Sequence, residues 1–296
     1  MTVNGNNPSV KVRMPEVKRI KASGPILILA VLFVGGAFLS WYFSWFGRSL
    51  SDADISQYLS DEKRPRHVQH ALLQIQQRIE RGDPTAKQWY TQVAQLGAHP
   101  QTEFRLTVAW LMGFDPKSEE FHRALAQLVK DPEPIVRRNA ALALVRFNDP
   151  AGRVELAAIL KPFELPAPAA GEMQSTLKER SQITRGTLLA RISQNDGQVV
   201  EVRAPLHGRV EKILAASGSR VVLGQTLLTI NSDEESVFEA LRGLSFVGDS
   251  SDLPLAEHYA ADAVSSERIK QQAALTAKAI QSRSSAGNRV AKPTVH

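Results

Sequence analysis

Ala167-Pro168-Ala169-Ala170-Gly171 and Ala204-Pro205-Leu206-His207-Gly208 open two copies of one pattern. The first copy closes on Arg185-Gly186-Thr187-Leu188-Leu189-Ala190-Arg191-Ile192, the second on Leu223-Gly224-Gln225-Thr226-Leu227-Leu228-Thr229-Ile230. Each sets an Ala-Pro and a Gly ahead of an alternating run, then a Gly-led turn into a short apolar strand, the period-2 mark of half-buried strands. A duplication this compact implies two interlocked β halves related by a pseudo-twofold. On either side the chain reads as paired helices, and its front reads as a membrane anchor.

From about residue 66 to 160 apolar residues recur at helical spacing, broken at Asp83-Pro84, His99-Pro100, Asp115-Pro116, Asp131-Pro132 and Asp149-Pro150. Proline suits a helix's first turn, and an Asp before it caps exposed N–H groups. Helices joined by such tight breaks form antiparallel pairs. Two of them match: His99-Pro100 through Arg105 stands 32 residues before Asp131-Pro132 through Arg137 (99 to 131). After the β stretch, Ile269 to Ala277 echoes Val136 to Leu144, and Val237 to Leu244 reads as another such helix. Since each unit buries its apolar face only against its neighbours, one helical array is expected over 50–160 and 233–282, with the β module of 161–232 inserted between repeats. Residues 283–296 are small, polar and basic, and are expected to form a disordered tail.

Residues 26–46 carry no charge, and twelve of them are Ile, Leu, Val or Phe. An uncharged run of this length crosses a hydrocarbon layer of roughly 30 Å if it is helical throughout. The reading is a single transmembrane helix over 25–47. Before it, Lys11, Arg13, Lys18, Arg19 and Lys21 outweigh Glu16, so residues 1–24 form a basic cytoplasmic tail and the body lies in the periplasm, anchored to the inner membrane. Trp41, Tyr42 and Trp45 would sit at the membrane interface. Gly36, Ser40 and Ser44 recur every four residues as a stripe for helix packing. Lys plus Arg exceed Asp plus Glu by 36 to 30, and most of that excess belongs to this tail, which argues against a nucleic-acid partner. The chain has no cysteine, which excludes disulfides, thiolate metal sites and Cys catalysis.

The stretch Asp131 to Leu144 (DPEPIVRRNAALAL) closely resembles a HEAT repeat. The resemblance implies that Asp131 and Arg137 hydrogen-bond along the stack and are structural. The doubled β pattern, most specifically Val202 to Val210 followed by Gly218 to Leu227, resembles the biotinyl/lipoyl-type barrel-sandwich fold. That resemblance implies that Gly218 and Gly224 take sharp turns; with Gly171, Gly186 and Gly208 of the repeated pattern they are read as structural. Carrier members of the family attach biotin or lipoate to a lysine at the hairpin tip between the halves. Here the tip is Ser193 to Gln198, with no lysine between Lys178 and Lys212, so no cofactor is expected. HlyD-like membrane-fusion adaptors also use this fold. The fold class expected is multidomain α + β: one transmembrane helix, a HEAT-like α-solenoid and a small barrel-sandwich inserted between its repeats.

Catalytic signatures are few. His67-x-x-His70 shares one helix face and Glu119-x-x-His122 has metal-ligand spacing, but neither has the further ligands a site needs, and no metal is assigned. Arg180, Arg185, Arg191, Arg203 and Arg209 would make one face of the β module basic, against Glu179, Glu201 and Glu211. The resulting expectation is a non-enzymatic scaffold or adaptor contacting integral membrane or periplasmic proteins. The alternative is an HlyD-like accessory subunit of an export or polysaccharide-secretion apparatus, forming a homo-oligomer around a conduit.

Overall fold

The computed structural model describes residues 28, 29, 31–38 and 49–290, and the chain divides into two compact units, residues 1–50 and 51–296. In the first unit residues 28, 29 and 31–38 are helical. Among the described residues no helix is long and apolar enough to cross a membrane. The transmembrane helix of 25–47, and with it the single-pass inner-membrane placement with a periplasmic body, is therefore corrected: the fold is α + β with two small antiparallel sheets and no spanning helix among the described residues. Apolar composition suggested the span; among the described residues no helix bears it out. Gly36 lies in this helix with open space around the place of a Cβ. The basic tail of 1–24, Ser40, Trp41, Tyr42, Ser44 and Trp45 lie outside the described residues.

The second unit opens with α1 (Asp52–Leu59) and α2 (Pro65–Glu80), then α3 (Tyr90–Gln95), α4 (Thr102–Met112), α5 (Glu119–Leu128), α6 (Pro134–Arg146) and α7 (Arg153–Ile159). Eight strands follow: β1 (Phe163–Pro166), β2 (Gly171–Gln174), β3 (Gln182–Ile183), β4 (Leu188–Ser193), β5 (Val199–Arg203), β6 (Gly208–Ile213), β7 (Arg220–Val221) and β8 (Thr226–Asn231). Helices α8 (Glu234–Val247), α9 (Leu253–Ala261) and α10 (Glu267–Val290) close the chain. Because α10 runs to Val290, the disordered tail expected from 283 is corrected over 283–290.

The helices alternate in two rows. The even-numbered helices α2, α4, α6, α8 and α10 pack in sequence, each joined to the odd-numbered helix before it. The Asp-Pro breaks are Asx turns: Asp83, Asp115, Asp131 and Asp149 each accept from the backbone N–H two residues on, at 2.8 to 3.2 Å. The row continues across the β insertion. Leu156 and Ile159 of α7 share one buried core with Val237, Leu241 and Leu244 of α8, Ala141 of α6, and Ile269 and Ala273 of α10. The insertion thus lies inside the α7–α8 pair, where the sequence had placed it between repeats.

The same interhelical bonds recur on both sides of it. Asn139 Nδ2 donates to Leu106 O at 3.4 Å and Arg146 Nη1 to Gly113 O at 3.3 Å, tying α6 to α4. Thr276 Oγ1 donates to Leu241 O and Arg283 Nη2 to Gly248 O, both at 2.8 Å, tying α10 to α8. Both donor pairs are seven residues apart, so α10 lies on α8 as α6 lies on α4. The correspondence runs four residues on from the echo heard in the sequence.

The β module consists of two sheets of order β1-β8-β6-β3 and β5-β4-β2-β7, antiparallel throughout. Shifting each strand of the first by four, counted cyclically round the eight strands, gives the second, which is the pseudo-twofold. The bonds obey it as well. Ala167 exchanges backbone bonds with Gly224 and Gln225, as Ala204 does with Gly186 and Thr187, all at 2.8 to 2.9 Å. The β1–β8 and β4–β5 ladders slip at twin places, passing over Leu227 and Leu189. Such a bulge turns two consecutive residues inward, hence the buried pairs Leu189-Ala190 and Leu227-Leu228. The shared core consists of twins, among them Leu165 and Val202, Met173 and Val210, Ile183 and Val221, Ile192 and Ile230.

Gly208 is fixed by close approach: a Cβ there would stand 2.2 Å from Asn231 O, and its twin Gly171 faces Ser193 O at 2.3 Å. Met173 exchanges bonds with Gly218 and Ser219 as Val210 does with Arg180 and Ser181. Gly218 has φ 85°, and Arg180 occupies the twin left-handed position at φ 67°. A side chain costs about 1–2 kcal/mol in that region. Arg180→Gly should therefore leave stability unchanged or raise it by up to about 1 kcal/mol, whereas Gly218→Ala lowers it by about 1–2 kcal/mol. Denaturant unfolding of the full chain gives both values.

Candidate functional site: the groove on the even-numbered helices

The stack is clamped by two polar ladders, in which Arg105 and Arg137, and Tyr90 and His122, each stand 32 residues apart. In the first, Arg105 of α4 grips Asp131 through Nε–Oδ2 at 2.7 Å and Nη2–Oδ1 at 3.0 Å, while its Nη1 donates to His99 O and Pro100 O. One repeat on, Arg137 Nη1 donates to Asp131 O and Pro132 O, and Nε donates to Glu155 Oε2 at 2.9 Å. Asp131 and Arg137 thus both hydrogen-bond along the stack. In the second ladder Tyr90 donates to Asp115 at 2.9 Å, and its counterpart His122 meets Asp149 through Nε2 at 2.6 Å.

Burial pushes the Asp131 carboxyl up, but the Arg105 bonds, the Glu133 N–H and the Arg137 charge outweigh it, leaving the group below the usual carboxylate range. With the folded value depressed, the ladder's contribution is complete above the unfolded carboxylate value near pH 4 and fades as pH falls through the folded one.

Of the candidate ligands from the sequence, His67 and His122 are engaged by carboxylates within the protein. His67 Nδ1 meets Asp61 Oδ2 at 2.8 Å, with its ring stacked on Tyr58, and burial lowers the pKa of His70. His122 stacks on Phe147 as well as meeting Asp149. Among the described residues no group of three His, Cys, Asp or Glu is placed to hold a metal. Three of the arginines are paired: Arg191 and Arg203 with Glu201, and Arg185 with Glu103 of α4. At the hairpin tip Asn195-Asp196-Gly197, Gln194 N donates to Gln198 O, and Gln198 N to Asp196 Oδ1. Gly186 and Gly224 are twin turn glycines at φ 85° and 80°.

What the stack leaves open is a groove of about 440 Å³ across α4, α6 and α8. Gly113 allows α4 close to Ala143, and Gly243 allows α8 close to Leu156 and Val145, so the floor is tight. Trp110 and Phe246 line it while remaining 46% and 60% exposed, with half-buried Leu142 between them. Trp110 stands edge-on to Phe114 at 4.7 Å, and the Arg146 guanidinium covers the other ring at 4.8 Å. Arg242 pairs with Glu239 at the α8 rim. Two guanidiniums and one carboxylate therefore stand beside the two exposed aromatic rings of the groove. The sequence reading did not single out this groove; the available signal was Trp110 standing where its counterpart 32 residues on is Leu142.

No protein-family model matches the chain, and no curated protein matches it. Among solved structures, a single-chain, multi-domain long-chain acyl-CoA carboxylase is similar at 22% identity over 25% of this chain, with a TM-score of 0.23. The match covers 8% of that chain. At that TM-score the likeness carries no argument about fold or activity.

The Arg105 and Asp131 side chains are 11% and 5% exposed. Removing one partner strands the other's charge, so Asp131→Ala should cost about 3–5 kcal/mol at pH 7. The difference from the unaltered protein should shrink below about pH 4 as the carboxyl is protonated. Thermal unfolding across that pH range measures both.

Proposed function

We propose that this protein is a non-enzymatic scaffold or adaptor whose work is protein–protein contact, made through the groove on the even-numbered helices. The observation carrying this reading is the pair Trp110 and Phe246, two large aromatic side chains held out to solvent over a tightly packed floor. Aromatic anchors beside arginine are the residues that dominate binding energy at protein interfaces. A stack of helix pairs offers such a surface at low cost, since its fold is fixed by the opposite sides of the helices.

The resemblance to HEAT repeats fits a stack in which Arg105 and Arg137 repeat one bonding scheme. The resemblance to the barrel-sandwich family fits the sheet orders and the twin bonds around Ala167 and Ala204. Within that reading the β module is a rigid second contact and not a carrier, because its hairpin tip offers no amine for biotin or lipoate.

Trp110→Ala combined with Phe246→Ala should abolish recovery of partner proteins that co-purify with the unaltered chain, with a loss of about 2–4 kcal/mol in binding. Val154→Ala, at an exposed position of α7, should leave recovery unchanged. Quantitative affinity purification followed by mass spectrometry makes the comparison. Equal recovery by the groove variant and the unaltered chain would refute the reading.

A further inference from the structure

The twofold of the sandwich is kept closely enough that a break in it carries information. The β3–β4 turn Thr184-Arg185-Gly186 and the β7–β8 turn Val222-Leu223-Gly224 are twins, each Gly N–H donating to the Ala of its Ala-Pro partner, Ala204 or Ala167. The first turn is seated on the helical stack, where Arg185 Nη2 donates to Glu103 Oε1 of α4 at 3.0 Å. The second has no charge and holds Val222 and Leu223 63% and 71% exposed. One half thus presents a polar contact to a helix of its own chain, and the other presents an uncovered apolar knob.

We propose that Val222 and Leu223 of one copy seat in the Trp110–Phe246 groove of a second copy of this chain. This rests on the reading of that groove as a contact surface. Helix α4 would then be held near its start by its own sandwich, through Glu103, and near its end by its neighbour's. Leu223 is exposed, so its own groove does not take it. A groove of about 440 Å³ falls in the range that encloses a drug-sized ligand, which admits two aliphatic side chains. The knob is uncharged and does not oppose the guanidiniums of Arg146 and Arg242. Beside it on the sandwich lies Glu164, 3.4 Å from Thr226 Oγ1, an acid for that cationic rim. Knob and groove are different surfaces, so the contact is heterologous and runs head to tail.

The test is sedimentation velocity of the full chain over a concentration series. The unaltered protein should associate as concentration rises, and Leu223→Asp and Trp110→Ala should each weaken association by about tenfold or more. Val222→Asp serves as a second knob variant, and circular dichroism reports whether each variant is folded. Mixing Leu223→Asp, which keeps its groove, with Trp110→Ala, which keeps its knob, should restore association and stop at one pair of unlike chains. An unaltered protein that stays monomeric, association that survives both substitutions, or a mixture that does not pair would each overturn the proposal. If the unaltered protein is monomeric while Trp110→Ala still loses its partner proteins, self-seating falls and the groove reading stands. If Trp110→Ala loses neither, both fall.

Discussion

The contact between α7 and α8 is the constraint on which the second unit depends. Leu156 and Ile159 on one side of the β insertion share a core with Val237, Leu241 and Leu244 on the other, and Ser232 Oγ closes the neck by donating to Ile159 O at 2.8 Å. Without this closure the helices before the sandwich would end on an uncovered apolar face, and α8 to α10 would have nothing to stack on. A second fastening lies nearby: Arg153 at the start of α7 donates to Asp249, Ser251 and Asp252 in the turn after α8, at 2.8 to 2.9 Å. Inserting a domain inside a helix pair is tolerable because the sandwich enters and leaves on adjacent strands. β1 and β8 are hydrogen-bonded neighbours, so the two ends of the insertion emerge side by side.

The groove follows from the same stacking. Each of α4, α6 and α8 uses one side for its odd-numbered partner and two flanks for the neighbouring even-numbered helices, which leaves one side to solvent. On α4 and α8 that side carries Trp110 and Phe246, and α6 between them contributes Leu142. The floor is rigid because glycines at 113 and 243 bring the backbones together. The groove is formed before any partner arrives, which lowers the ordering cost of binding.

The twofold of the sandwich was legible because it is written in residues whose backbone roles are narrow. Ala-Pro followed by Gly, and Gly ahead of an apolar strand, repeat at a spacing of 37 or 38 residues (171 to 208, 186 to 224). Arg180 was not legible as a left-handed residue, because nothing in an arginine signals that conformation; only its twin, Gly218, reveals it. The helix pairs were visible in the Asp-Pro breaks, whose side chains fold back on their own turns. The insertion point was not, since Arg153 to Ile159 reads like any short amphipathic helix and its partner lies beyond the whole β module. The expected transmembrane helix rested on a long uncharged run between basic residues, and among the described residues no helix is long and apolar enough to span. The groove stayed hidden for a related reason: periodicity shows which residues are apolar, not which side of a helix its neighbours leave uncovered.

The account stands on Trp110 and Phe246 facing a partner in the living cell. The most direct measurement is photo-cross-linking from a benzoylphenylalanine placed singly at position 110, 246 or 154, with the adducts resolved by mass. Adducts with another polypeptide from 110 and 246, and none from the α7 position 154, are the result this structure predicts. Adducts from 154 with none from 110 or 246 would contradict it.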